Sequence, residues 1–365
     1  MKESVFDITR RRTDALRAIF AEKKIDAAFI CSGPGVRYLS GFAGTPGDAS
    51  LLITPEKAYI FTDSRYTIQA GEQCPYYELK SASALDYVKV SECLPGGNAF
   101  IGFENLDISY NNFIRLKEAA GTDNFVDLGG AVKDLRNIKD DTELENIKRA
   151  CEIACQAIAA TVPFIKDGVM ELDLATELEY RMKKLGASGP SFDTIVASGV
   201  RGALPHGLAS EKKVRNGEMI TFDFGSLYNG YCSDMTRTFA LGEPDPEMVK
   251  IYNIVLEAQL AGIDAFKAGM TGGDLDRVSR DIITEAGYGQ YFGHGLGHGV
   301  GLEIHEGVGV GKTSRSILAE RTVFSIEPGI YIENKGGVRI EDLVTCVDGV
   351  KTVLTASSPK ALMIL

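Results

Sequence analysis

Ile220–Phe239 reads ITFDFGSLYNGYCSDMTRTF, and Asn229-Gly230 at its centre is the strongest short turn signal in the chain. With those two residues as the loop, residues whose numbers sum to 459 face each other, so Asp223 opposes Thr236. Asp234 lies two residues from Thr236 on the same face, a diagonal neighbour of Asp223 within reach. Phe222, Phe224 and Met235 flank the pair. Two carboxylates so placed repel strongly unless a cation or a proton sits between them.

A second hairpin is expected in Val323–Glu341 (VFSIEPGIYIENKGGVRIE), turning near Asn334–Gly337. A three-residue loop over 334–336 brings Glu327 and Glu341 to one face, whereas an even-length loop without a bulge does not. The two hairpins are linked by a faint internal repeat. Lys166-x-Gly168-Val169-x-x-x-Asp173-Leu174 recurs as Lys267-x-Gly269-Met270-x-x-x-Asp274-Leu275, a shift of 101 residues. The same shift carries Gly186 onto Gly287 and lays a helix near 145–165 over one near 246–266. Each half then reads as long helix, glycine turn, second helix, glycine-rich segment and hairpin. Chance similarity of two helical hairpins is the competing explanation. Duplicated halves predict a pseudo-twofold fold with the Asp pair facing the Glu pair across a cleft. Four converging carboxylates require divalent metal there.

Histidine is rare: His206, His294, His298 and His305 are the only four, and three of them fall in Phe292–Glu306 (FGHGLGHGVGLEIHE). The fourth, in Leu204-Pro205-His206-Gly207, stands at the matching stage of the first half. Such clustering near candidate ligands favours metal binding or catalysis over scattered structural roles. His294 and His298 have the i, i+4 spacing of a helical zinc motif, but the glycines between them are poor helix formers and no Glu follows His294. Those glycines suit a looping backbone that a substrate can approach closely. One imidazole with four carboxylates is a hard, oxygen-rich set, suited to a pair of Mn²⁺, Co²⁺ or Zn²⁺ ions. Such a pair would hold a hydroxide nucleophile and polarise a carbonyl, leaving His206 and His305 free to hydrogen-bond the scissile group. Cys232 shares a strand face with Asp234 but reads as packing, since thiolate is too soft for this set.

At 365 residues the chain exceeds the usual reach of one core, so two domains are expected, 1–133 and 134–365. Strands and helices alternate in the first third, as in a small α/β domain. A helix is expected over 5–24, a strand over Asp26–Cys31 stopping at Gly33-Pro34-Gly35, and strands near 50–54 and 57–62. A helix near 64–71, a strand near 99–104 and a helix near 110–120 follow. Ala131–Asp141 reads as a charged linker running into a helix capped by Asp141 or Thr142. Leu144, Ile147, Cys151, Ala154, Ile158 and Val162 give that helix its apolar stripe.

The net charge of −11 opposes nucleic-acid binding, which needs Lys and Arg to neutralise phosphates. The seven cysteines are scattered and odd in number, unlike a disulfide framework. The first residues, MKESVFDITRRRTDALRAIF, lack the apolar run of a signal peptide, and no stretch approaches the about 18 apolar residues of a membrane span. A cytoplasmic setting, with no membrane partner, is the expectation.

The order Asp223, Asp234, His298, Glu327, Glu341, with FDF, SDMTRT, GHGVGLEIHE, SIEPGIYI and GVRIED around them, resembles the pita-bread metallopeptidases. That family holds methionine aminopeptidase, aminopeptidase P and prolidase. The N-terminal region, with Thr62-Asp63-Ser64-Arg65-Tyr66, resembles the creatinase-type domain of the last two. The resemblance implies an α+β fold: a pita-bread (creatinase/aminopeptidase) catalytic domain with pseudo-twofold halves, preceded by a smaller α/β domain. It implies two divalent metal ions, manganese first and cobalt or zinc next. Asp223 would bind one ion, His298 and Glu327 the other, and Asp234 and Glu341 would bridge them. His206 would contact the nitrogen side of the scissile bond and His305 the carbonyl oxygen, while His294, Tyr331 and Arg339 border a proline pocket. A homodimer acting on peptides is implied as well.

The leading expectation is an Xaa-Pro aminopeptidase. Prolidase is the alternative; it needs a cation for the dipeptide carboxylate, and Arg339 could serve either enzyme. A non-catalytic peptide-binding paralogue or a metal-free amidinohydrolase predicts loss of ligands, and here the set is intact. A metal-dependent hydrolase of another small amide is the remaining possibility. An X–Pro bond is a tertiary amide with a fixed ring, which general peptidases handle poorly.

Overall fold

The computed structural model describes residues 3–365, so the first two residues of the expected N-terminal domain lie outside it. The chain separates into two compact units, one ending at Arg136 and the other running Asn137–Leu365.

The first unit is built on a six-stranded sheet in the order Glu78–Ser81, Ala58–Thr62, Ala49–Ile53, Ala27–Ile30, Ile101–Phe103, Phe125–Asp127. Ala49–Ile53 runs antiparallel to both its neighbours and the other pairings are parallel. Phe29, Leu52, Phe61 and Ile101 are wholly buried in its core. The two outermost strands were not expected; they are short and half-exposed, without alternation to mark them. Gly33-Pro34-Gly35 does end a strand, but it also opens the helix Gly33–Ser40. Ser32 caps it by accepting from Gly35 N, and proline sits in the first turn, where its missing N–H costs nothing. The expected linker is largely a helix, Ala131–Asn137.

In the second unit Asp140, one residue before the expected caps, starts the helix Asp141–Thr161 through a reciprocal capping box with Glu143. The repeat is plain in the backbone. Helices Glu171–Lys184 and Gly272–Glu285 coincide at both ends under the 101-residue shift, and Pro246–Ala265 matches Asp141–Thr161. Gly186 (φ 108°) and Gly287 (φ 89°) stand after those paired helices in the left-handed region that only glycine enters freely.

The first hairpin has the predicted register: Asp223 pairs with Thr236 and Tyr228 with Tyr231, across Asn229 (φ 47°) and Gly230 (φ 78°). The second has its loop at 333–335, one residue earlier than expected, because Asn334 (φ 60°) takes the left-handed position and Gly336 already pairs with Ile332. Glu327 and Glu341 are therefore directly opposite. The same register continues on the far side of them, where Ile326 pairs with Asp342 and Val323 with Thr345. Both hairpins turn one face onto helices. Phe222, Phe224 and Met235 pack with Leu174, Leu178 and Met182, while Phe324, Ile326 and Val338 pack with Ile251, Val255 and Leu275. Cys151 and Cys232 are packed in apolar surroundings, and all seven cysteines are free.

The hairpins meet edge to edge. Glu341 N donates to Thr236 O at 3.2 Å and Thr238 Oγ1 to Arg339 O at 2.9 Å. Buried Arg237 ties the seam, donating to Glu341 O (2.6 Å), Thr236 O (2.9 Å) and Asp342 Oδ1 (2.7 Å). Gln259 Nε2 and Lys360 Nζ complete Asp342 at 2.8 and 2.7 Å. Burial alone would raise the Asp342 carboxyl; Arg237 and Lys360 bring it below the ordinary value. Asp342→Ala would leave these cations uncompensated in the interior, at a cost of about 3–5 kcal/mol in urea unfolding. A loss below about 1 kcal/mol would mean that water replaces the carboxylate, and that the pair does not hold the seam.

Candidate metal centre

Asp223 lies on strand Met219–Phe224, opposite Thr236, with its side chain on the face turned away from Phe222 and Phe224. Asp234 sits just before strand Met235–Ala240 and is 4% exposed. Glu327 and Glu341 occupy the short breaks in the second hairpin, between its inner and outer paired segments. His298 arrives from the other side, on the two-residue strand Gly297–His298. Ligand atoms of Asp234, His298 and Glu341 all lie within 4.8 Å of one another. His298 Nε2 is 3.5 Å from Asp234 Oδ2 and 3.4 Å from Glu327 Oε1. Asp223 stands outside the tightest group, its Oδ2 held by Arg339 Nη2 at 2.7 Å.

Two of the glycines around His298 serve backbone packing. A Cβ on Gly297 would lie 1.9 Å from Ser325 O and one on Gly299 2.0 Å from Glu306 O, so the missing side chains let the backbones close together. The contact at Gly297 brings His298 alongside Glu327. Ser325 Oγ fixes both, accepting from His298 N at 3.0 Å and donating to Glu327 Oε1 at 3.1 Å. Thr236 plays the same part in the other hairpin, donating to Glu341 Oε2 at 2.7 Å and accepting from Arg339 Nε at 3.0 Å. Neither residue was singled out in the sequence, although the register already put Thr236 opposite Asp223 and parity put Ser325 on the face of Glu327.

The remaining candidates surround this group. His294 Nδ1 lies 2.7 Å from Gly295 O, which can only accept, so Nδ1 carries the proton and Nε2 accepts from Tyr331 OH at 2.9 Å. Arg339 Nη1 in turn donates to Tyr331 OH at 2.7 Å. Burial lowers His294 to about 4, keeping it neutral. The His305 ring stands edge-on to His298 with centroids 4.1 Å apart. His305 is lowered by burial and then by the charges of His298 and His206. His206 is exposed, yet near enough to act electrostatically on His294, His305 and Glu327. All ten residues singled out in the sequence thus gather in one region of the second unit.

The donor set fits a cation. His298 Nδ1 faces Gly299 O at 3.2 Å and so holds the ring proton, which aims the Nε2 lone pair at two carboxylates. Among the described residues, Asp223 Oδ1 and Glu341 Oε1 are buried without a hydrogen-bond partner. Burial, then the neighbouring carboxylates, pushes Asp234 and Glu341 well above the ordinary range. Glu327 is pushed up to about 7 by burial, opposed by Arg339. Lone pairs converging with no donor between them are the arrangement that a divalent ion resolves.

Because these folded-state carboxyls hold protons that the unfolded chain releases, the metal-free protein should lose stability as pH rises from about 4.5 through about 7. A divalent ion opposes that loss, so the rise in Tm on adding Mn²⁺ should be larger at about pH 7.5 than at about pH 5.5. An increment independent of pH would show that the ion does not bind at these carboxylates. Asp234→Asn should weaken metal binding by about 10-fold or more in calorimetry while making the Tm of the metal-free protein fall less steeply with rising pH, since an amide has no proton to lose.

Two family models match the chain: Metallopeptidase family M24 over residues 145–348, and the Creatinase/Prolidase N-terminal domain over residues 12–138. The Xaa-Pro dipeptidase of Pyrococcus furiosus is 40% identical over 97% of this chain and 100% of its own. Among solved structures, the Xaa-Pro dipeptidase from Bacillus anthracis superposes with a TM-score of 0.93 at 44% identity, over 98% of this chain and all of that one. The X-Pro aminopeptidase from Thermotoga maritima does so with 0.88 at 40% identity, over 96% and 100%. Matched over both of its units, and carrying a carboxylate-rich group of potential metal ligands, the chain belongs to metallopeptidase family M24, with a creatinase/prolidase-type N-terminal domain and an α+β catalytic unit.

Proposed function

We propose that this chain is an Xaa-Pro dipeptidase, reversing the order in which aminopeptidase and prolidase were expected. The observation that carries this is full-length likeness, at 40% and 44% identity, to two proteins named Xaa-Pro dipeptidase. The likeness to an X-Pro aminopeptidase keeps that activity as the second reading. The bonds of the Arg339 guanidinium to Asp223, Tyr331 and Thr236, in a residue that is 3% exposed, favour a part in placing Asp223 and Tyr331 over one as the dipeptide's carboxylate anchor.

In this reading Asp223, Asp234, His298, Glu327 and Glu341 hold two divalent ions, manganese first. Divalent ions at such a set acidify a bound water and polarise a carbonyl. His305, neutral at working pH, offers an N–H to the oxygen that gains charge. His206 lies on the nitrogen side of the scissile bond. Tyr331 and His294, locked by their hydrogen bonds, wall the proline ring with Arg339. A homodimer in the cytoplasm completes the proposal; among the described residues no helix is long and apolar enough to cross a membrane.

Stripping with chelator and adding back Mn²⁺, Co²⁺ or Zn²⁺ should restore cleavage of Xaa-Pro dipeptide in preference to Xaa-Pro-Yaa tripeptide. Tripeptide preference would establish the aminopeptidase reading. Cleavage of neither, with Asp234→Ala binding metal as well as the parent, would sink both. His305→Ala should lower kcat by about 10²–10³-fold at unchanged metal content; an unaltered kcat would remove it from the oxyanion role.

A further inference from the structure

We propose that Glu171 is a positioning residue for His206, acting by holding in one shape the loop that carries it. The proposal rests on the reading of His206 as a group that meets the substrate. Glu171 opens the helix Glu171–Lys184 and is wholly buried. Its Oε1 accepts from Ser198 N and from Ser198 Oγ, both at 2.8 Å. Its Oε2 accepts from Ser210 Oγ at 2.7 Å and is paired with Arg201 Nη1. The other Arg201 amino group donates to Leu208 O at 2.8 Å. Every one of these partners lies between residues 198 and 210, and His206 stands exposed within that segment. The backbone of the segment is held besides by the pairing of Ser198 with Ile220, the short 3-10 turn Gly199–Ala203 and a single bridge from Leu208 to Ile195, none of which includes residues 204–207. One buried carboxylate therefore gathers both ends of the loop and, through Arg201, the carbonyl two residues beyond the histidine.

The repeat separates this task from the needs of the scaffold. In the first half Gly168, Glu171 and Leu172 donate their N–H groups to Val214, Lys212 and Ser210 at 2.9–3.0 Å. In the second, Gly269, Gly272 and Gly273 donate to Leu318, Ser316 and Ser314 at 2.8–3.0 Å. The backbone crossing is the same, yet the position matching Glu171 is Gly272, which has no side chain. A buried carboxylate is thus not what the crossing requires. The second half ties its own histidine loop differently: Glu306, next to His305, is paired with buried Lys139 at 2.9 Å. The carboxylates follow the exposed histidines, not the symmetry of the fold.

Glu171→Gln keeps the shape but weakens the grip on Arg201 and places an N–H₂ where an acceptor is needed. A loop freed to misplace His206 by about 1 Å should lower kcat about 10- to 100-fold, with KM within about 3-fold and metal content unchanged. The test is a double-mutant cycle on the full, Mn²⁺-loaded chain with Xaa-Pro dipeptide and tripeptide. In a His206→Ala background the same Glu171→Gln change should cost under about 2-fold, because the group it positions is already gone. An equal drop in both backgrounds, or loss of metal, would overturn the proposal and make Glu171 a scaffold residue. Should Glu171→Gln not fold, Ser210→Ala removes one donor to Glu171 and should show the same non-additivity from a smaller drop, about 3- to 10-fold. Parental kcat in His206→Ala alone would instead remove the role of His206 from the proposed function, and Glu171's role with it.

Discussion

Four carboxylates and an imidazole lone pair are forced into one small volume, and that mutual repulsion is the constraint on which the second unit is organised. A chain pays for such a concentration of like charge unless something positive stands in it. Arg339 supplies one fixed positive charge, spent on Asp223. The rest of the group has its proton donors on the outside: Thr236 to Glu341, Ser325 to Glu327, and the His298 ring N–H to a backbone carbonyl. Among the described residues, Asp223 Oδ1 and Glu341 Oε1 are left without a donor and the His298 lone pair faces two carboxylates, so the group suits a cation.

Holding that shape requires rigidity in the two hairpins and in the seam between them. Each hairpin has one face buried against helices and the opposite face given to the carboxylates, so the period-two alternation of a strand does the sorting. At the seam Glu341 is held through its backbone by Thr236 and Arg237 and through its side chain by Thr236. The position of this carboxylate is thus fixed at both main chain and side chain by neighbours belonging to the other half.

Much of this was legible because turn chemistry and strand parity are local. Asn229-Gly230 set the first register correctly, and with it the placement of Asp223 against Thr236 and Asp234. In the second hairpin parity was right and the loop one residue off, since nothing in ENKGG says which residue takes the left-handed position; the structure gives it to Asn334. The repeat was legible in its glycines. What could not be read was whatever depends on contacts across the sequence: the backbone-to-backbone closure at Gly297, the commitment of Arg339 to Asp223, and the pairing of Glu306 with Lys139. The N-terminal unit was less legible at its edges, where short, exposed strands carry no hydrophobic rhythm.

The division of the carboxylates between the hairpins has a consequence for how the molecule matures. Asp223 and Asp234 belong to one half, Glu327 and Glu341 to the other, and each pair alone is a source of repulsion. A half-formed unit therefore has neither the whole carboxylate group nor the seam that orders it. Asp234 and Glu341, which meet in the group that could hold an ion, come from different halves, so that group exists only once both hairpins have docked.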